Sequence, residues 1–130
     1  MKILVVDDDQ TTRKVLSMYL KVKGYEIVTA ENGLDAMEKL GANNFNLIMT
    51  DLNMPYMDGH ELVRTIRANS SWDHIPILMV STEADAEEQK LAFDAGADGY
   101  LVKPVTADMV HTTIKQLLKN IFAKGVKDDA

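Results

Sequence analysis

Lys2-Ile3-Leu4-Val5-Val6-Asp7-Asp8-Asp9 is the stretch whose reading decides the fold. Five residues, mostly apolar and branched, run without alternation between polar and apolar, the pattern of a strand buried on both faces of a parallel sheet. The run then stops at three carboxylates. Comparable runs recur at Glu26–Ala30, Leu47–Thr50, 77–80 and 100–102. The stretches between them carry helical period, at about 11–23, 34–40, 61–68 and 86–95, and a fifth begins near Thr106. Gly24, Asn32-Gly33, Asp58-Gly59 and Gly96 punctuate these boundaries, as turn and cap residues do. Strict alternation of strand and helix implies an α/β fold, with right-handed crossovers and helices on both faces of one parallel sheet.

Two helices carry specific expectations. Thr106 is placed to cap the last, which sets Val110, Ile114, Leu117, Leu118 and Ile121 on one face and Lys115 and Lys119 on the other. The fourth has only Leu91, Phe93 and small alanines to bury. It is expected to pack weakly and to be the mobile element.

At 130 residues the chain has room for one domain. Hydrophobic residues at 46% and charged residues at 26% exclude disordered and fibrous classes. No apolar run approaches the ~20 residues of a membrane span, and residues 1–6 lead into acids instead of a cleavage site. Absence of cysteine removes disulfides, thiolate metal sites and thiol nucleophiles, and agrees with a cytoplasmic location. Net charge of -6 disfavours direct contact with nucleic acid.

In doubly wound sheets the site lies beyond the carboxyl ends of the strands. Those ends carry Asp7-Asp8-Asp9, Asp51, Ser81-Thr82 and Lys103-Pro104, whereas the second strand, ending in Ala30-Glu31, offers nothing evident. Clustered carboxylates repel one another and need shared protons or a cation. An all-oxygen donor set favours Mg²⁺, with Asp8 and Asp51 as ligands and Asp7 holding a metal-bound water. Asp9, at the start of the first helix, reads as its cap. Lys103 and the Ser81 hydroxyl can each take a phosphoryl oxygen, so that carboxylate, divalent ion, lysine and hydroxyl make up the parts of phosphoryl transfer to an aspartate. Lys103-Pro104 is open to a cis or a trans peptide. The seven methionines after Met1 are scattered and read as packing, His60, His74 and His111 as surface or capping residues, and Trp72 as partly packed.

The chain resembles response-regulator receiver domains, and among them the stand-alone chemotaxis regulators. The motifs are residues 4–8 (Leu-Val-Val-Asp-Asp), Thr50-Asp51-Leu52-Asn53-Met54-Pro55 with Asp58-Gly59, Val80-Ser81-Thr82-Glu83-Ala84, and residues 99–104 (Gly-Tyr-Leu-Val-Lys-Pro). The resemblance covers residues 2 to about 122 and leaves a short polar tail, 123–130, expected to fray. It implies a (βα)5 doubly wound, flavodoxin-like three-layer sandwich with strand order 2-1-3-4-5. It also implies that Asp51 is the phosphoacceptor. Mg²⁺ would be held by Asp7, Asp8, Asp51 and the backbone carbonyl of Asn53. Ser81 and Tyr100 would be switch residues, Lys103 would contact the phosphoryl group, and Asn53 and Glu83 would tune dephosphorylation. The implied partners are a histidine kinase as phosphodonor, an output protein such as a flagellar motor switch component or another signalling protein, and a phosphatase. Catalysis would be confined to the chain's own phosphorylation and dephosphorylation.

Other readings are a phosphorelay intermediate or phosphate sink, or a receiver cut from a larger regulator. The start at Met1, just before the first strand, and the short end favour an independent protein. A more distant reading takes Asp7-Asp8-Asp9-Gln10-Thr11 as the motif of haloacid-dehalogenase-like phosphatases, with Asp7 as nucleophile and Asp9 as acid. That reading lacks a further acidic pair after Lys103.

Overall fold

A computed structural model describes the backbone through residue 129 and the side chains through residue 121. Five strands and five helices alternate: β1 Lys2–Val6, α1 Gln10–Val22, β2 Glu26–Ala30, α2 Gly33–Ala42, β3 Leu47–Thr50, α3 Gly59–Arg67, β4 Ile77–Ser81, α4 Ala86–Ala95, β5 Gly99–Val102 and α5 Ala107–Asp129. All neighbouring strands are parallel, in the order β2-β1-β3-β4-β5. The doubly wound topology is therefore as expected. Apart from the end of α5, element boundaries differ from the sequence reading by one or two residues, the most useful difference being that Ser81 is the last residue of β4.

Successive strand residues point to opposite faces, and two apolar layers result. Leu4, Val6, Ile48, Ile77 and Met79 pack with Ala36, Leu40, Leu62, Val63, Ile66 and Ala92 of α2, α3 and α4. Ile3, Val5, Leu47, Met49, Leu78 and Val80 pack with Leu16, Leu20, Val110 and Ile114 of α1 and α5. Trp72 sits half-buried against the first layer, as its reading anticipated.

Side-chain oxygens cap the helix starts: Asp9 accepts from Thr12 N, Asn32 from Asp35 N, Asp58 from Glu61 N, Asp85 from Glu87 N and Thr106 from Met109 N. Gly96 ends α4 with φ +120°, a conformation side chains disfavour. Its carbonyl accepts from Arg67 Nε at 2.9 Å. The same guanidinium donates to the carbonyls of Asp73 and Ile75 and to Asp98 Oδ2, so Arg67 ties the end of α3 to the loops before β4 and β5.

Two burial expectations are corrected. Leu91 and Phe93 of α4 are about half exposed, at 47% and 46%, and Ala92 is the residue of that helix in the core. Ala95 packs half-buried against the same layer, so the helix packs through alanine methyl groups. In α5, Val110 and Ile114 are buried and Leu117 and Leu118 are half-buried, but Ile121 is exposed. The backbone stays helical through Asp129, over most of the segment read as a tail, whose side chains lie outside the described residues.

Candidate functional site

The site is assembled by the strand ends. Asp7 N donates to the Ala30 carbonyl and Asp51 N to the Val6 carbonyl, which fixes both acids against the sheet just beyond its last ladder bonds. Carboxylate oxygens of Asp7, Asp8 and Asp51 all lie within 4.8 Å of one another. Asp7 is 2% exposed, Asp51 is half-buried and Asp8 faces outward. Lys103 Nζ stands 2.8 Å from Asp7 Oδ2 and 3.6 Å from Asp51 Oδ2. Four of the predicted residues are therefore brought together.

Three negative charges face one positive charge in this space. Burial pushes the Asp51 carboxyl above its ordinary range; Asp7 and Asp8 add to that shift, while Lys103 and the Leu52 N–H, bonded to Oδ1 at 2.8 Å, oppose it. Burial works against the Lys103 ammonium, but the hydrogen bond to Asp7 and the charge of Asp51 outweigh it and hold its pKa above the usual lysine value. All donors among the acids are oxygens, gathered within the span of one small cation, so the residues fit a hard divalent ion.

Asp9 is committed elsewhere. Its carboxylate accepts from Thr12 N at 2.9 Å and Thr12 Oγ1 at 2.6 Å, bonds that hold its pKa below the ordinary value. This is the cap reading, and it removes the acid that a haloacid-dehalogenase-like mechanism requires. The Asp7 carbonyl accepts from Arg13 NH1 at 2.6 Å, an anchor that no motif announced.

Ser81 is fully buried at the end of β4, with its Oγ accepting from Glu83 N at 3.2 Å. Lys103 N donates to the Ser81 carbonyl at 2.8 Å, which joins the β4 and β5 ends, and the Lys103-Pro104 peptide is cis. Asn53 and Glu83 meet at the rim, Nδ2 to Oε1 at 3.5 Å. Tyr100 is folded inward against the first core layer and donates its hydroxyl to the Glu83 carbonyl at 2.8 Å.

The loop after β3 returns tightly. Gly59 N donates to the Leu52 carbonyl at 2.7 Å, and a Cβ on Gly59 would stand 2.5 Å from the Asp51 carbonyl oxygen, so a side chain there is excluded. At the loop tip Tyr56 is 82% exposed with φ +70°. A cleft of about 660 Å³ beside Lys2, Asn43, Asn69 and Trp72 lies at the amino ends of the strands, remote from the acids.

The histidine readings need one correction. His60 is not a surface residue: its side chain is 14% exposed and its Nε2 lies 3.2 Å from Glu88 Oε2 on α4. His111 Nδ1 pairs with the Tyr25 hydroxyl at 3.1 Å. Neither pairing is visible in local sequence, because the partners are 28 and 86 residues away.

Comparison with known proteins agrees with this geometry. Residues 3–115 match the response regulator receiver domain family. The chain is 41% identical over 120 residues to the chemotaxis protein CheY1 of Helicobacter pylori, covering 91% of this chain and 97% of that one. It is 38% identical over 122 residues to the chemotaxis protein CheY of Pseudomonas aeruginosa, covering 93% and 98%. Among solved structures, Vibrio cholerae chemotaxis protein CheY4 superposes with a TM-score of 0.85 at 37% identity, over 89% of this chain and 97% of the other. A CheY-like receiver domain protein from Methanospirillum hungatei gives 0.87 at 29% identity, over 95% and 97%. Fold, motifs and relatives converge, and the chain belongs to the response regulator receiver domain family, as a CheY-like member.

Proposed function

We propose that the chain is a phosphorylation-operated switch in chemotaxis signalling, in which Asp51 takes a phosphoryl group from a histidine kinase. The observation that carries this reading is the convergence of Asp7, Asp8 and Asp51 oxygens within 4.8 Å with Lys103 beside them. An Asp51 carboxylate oxygen attacks phosphorus in line; the new O–P bond forms as the P–N bond to the donor imidazole breaks, and the imidazole leaves with the electron pair. Lys103 Nζ, 3.6 Å from Asp51, donates to one phosphoryl oxygen, and the Ser81 hydroxyl donates to a second. Mg²⁺, held by Asp8, Asp51 and the Asn53 carbonyl, with Asp7 on a bound water, would neutralise charge on the remaining oxygen. Asn53 and Glu83 at the rim stand on the approach of the water that later hydrolyses the acyl phosphate.

Output follows from the same geometry. Drawing Ser81 toward a phosphoryl group on Asp51 disturbs its bond with Glu83 N, and Glu83 in turn holds the Tyr100 hydroxyl. The face of α4, β5 and α5 changes, and a protein partner reads it.

The test is incubation with acetyl phosphate and Mg²⁺. One phosphoryl group should be gained and then released by hydroxylamine, and Asp51→Asn should gain none. Uptake at Asp7 or Asp8 in that variant at the wild-type rate would overturn the assignment. With beryllofluoride, amide shifts should cluster at 81–95 and 99–119. Shifts confined to the acid pocket would favour a phosphate sink or relay.

A further inference from the structure

We propose that His60 and Glu88 form a second mechanical connection from Asp51 to α4, separate from the one through Ser81 and Tyr100; it rests on Asp51 being the phosphoacceptor. The connection begins at the backbone of Asp51 and Leu52. Gly59, the first residue of α3, donates its N–H to the Leu52 carbonyl at 2.7 Å and approaches the Asp51 carbonyl with no side chain between. A displacement of the Asp51 peptide is therefore passed directly to the start of α3.

His60 is the next residue. Its ring is nearly enclosed, and Nε2 reaches Glu88 Oε2 in the first turn of α4 at 3.2 Å. Its other nitrogen, Nδ1, is buried and has no hydrogen-bond partner among the described residues. The ring consequently has one polar contact and no second one to exchange it for. Separating α3 from α4 at this point would leave both nitrogens unsatisfied, an unfavourable state for buried polar atoms. The start of α4 is thereby bound to follow the start of α3.

The mechanics of α4 make this contact matter. Ala92 is its buried residue and Ala95 packs half-buried beside it, while Leu91 and Phe93 are about half exposed, so apolar packing holds it weakly. Its far end is fixed, since Arg67 binds the Gly96 carbonyl and Asp98. A helix anchored at its carboxyl end and tethered near its amino end by His60 answers a push from Asp51 by tilting about the Arg67 end. His60 is a positioning residue in this scheme and touches no phosphoryl group.

The experiment compares amide shift changes on adding beryllofluoride and Mg²⁺ to wild type, His60→Leu, His60→Gln and Glu88→Ala. In His60→Leu and Glu88→Ala the response of residues 86–95 should fall below about half that of wild type, while Asp7, Asp8 and Asp51 respond fully. Gln offers a donor at the position of Nε2 and should restore the α4 response, which a purely space-filling role would not require. If His60→Leu does not fold, Glu88→Ala decides, because Glu88 is 35% exposed and its truncation puts no new bulk against the enclosed ring. A full α4 response in either of these two variants, or His60→Gln behaving as the uncoupled one, overturns the tether alone. No response at Asp7, Asp8 and Asp51 in wild type would overturn the phosphoacceptor reading and the tether with it.

Discussion

Lys103 Nζ lies 2.8 Å from Asp7 Oδ2, closer than to Asp51, so the lysine's nearer partner is the most deeply buried acid of the cluster and not the proposed phosphoacceptor. With Asp7 2% exposed and Lys103 17% exposed, this pair is sheltered from solvent screening.

Lys103→Ala should therefore cost stability as well as signalling. Removing the ammonium leaves the buried Asp7 carboxylate without a countercharge, with only the Asp9 N–H at 2.9 Å as partner among the described residues, which should lower unfolding free energy by roughly 2–4 kcal/mol in chelator-containing buffer. Mg²⁺ should recover part of the loss. Urea denaturation with and without the ion measures both; equal stability of variant and wild type without metal would mean that Asp7 does not depend on the lysine. Acetyl phosphate should still label the variant, whereas its α4 and β5 amides should no longer respond.

Asp51→Asn should stabilise the metal-free protein by about 1 kcal/mol at pH 7, since it removes one of three mutually repelling acids. The pH dependence has a definite sign. Burial raises the folded-state pKa of Asp51 above its ordinary 3.8, so the folded form holds the proton more tightly than the unfolded chain does. The stability this contributes is fully present below the unfolded value and is lost as pH rises through the raised folded value. Metal-free denaturation from pH 3 upward should consequently show the Asp51→Asn advantage growing with pH. An advantage that shrinks with pH would contradict the raised pKa.

Asp8→Ala should weaken Mg²⁺ binding roughly tenfold or more, because it deletes a carboxylate donor from an all-oxygen set. Phosphorylation by acetyl phosphate should slow in parallel. Calorimetric titration is the suitable readout, since Trp72 lies at the opposite ends of the strands and its fluorescence will miss the event. Unchanged affinity would remove Asp8 from the ligand set.

Tyr56→Asn should raise stability by about 0.5–1 kcal/mol, because φ +70° is costly for an aromatic residue and better tolerated by asparagine. The ring is 82% exposed and gives up little packing. Acetyl phosphate labelling should be unaffected. A loss of stability on thermal denaturation would mean that the ring makes a compensating contact.

The layered fold was legible because its signal is local: Ile3 to Val6 and Leu47 to Met49 are buried on both faces and read as unbroken apolar runs. The acids and Lys103 were legible because position at a strand end is itself a spatial coordinate in a parallel sheet. Where sequence reading went astray, the deciding contact was nonlocal. Helical spacing sets which residues of α4 share a face but not which face meets the core, so of Leu91, Phe93 and the small alanines expected inward only the alanines, Ala92 and Ala95, meet it. His60 carries no periodic signal, and its partner is chosen by how α3 and α4 pack. Arg67 reads as an ordinary charge at a helix end, yet its guanidinium collects three carbonyls and a carboxylate from loops up to 31 residues away. The inward setting of Tyr100 was hidden for the same reason: its hydroxyl is claimed by a backbone atom of Glu83.

The contact between Asn53 and Glu83, 3.5 Å long and on the exposed rim, has a consequence for how such a protein diversifies. Neither side chain belongs to the core layers. On the proposed reading the two stand where water must pass, so they set how long the signal is remembered, while the buried acids, Lys103 and Ser81 set whether it is written at all. Duration and competence are then inherited through separate residues. A lineage can lengthen or shorten its memory by exchanging two surface side chains and leave the writing machinery untouched.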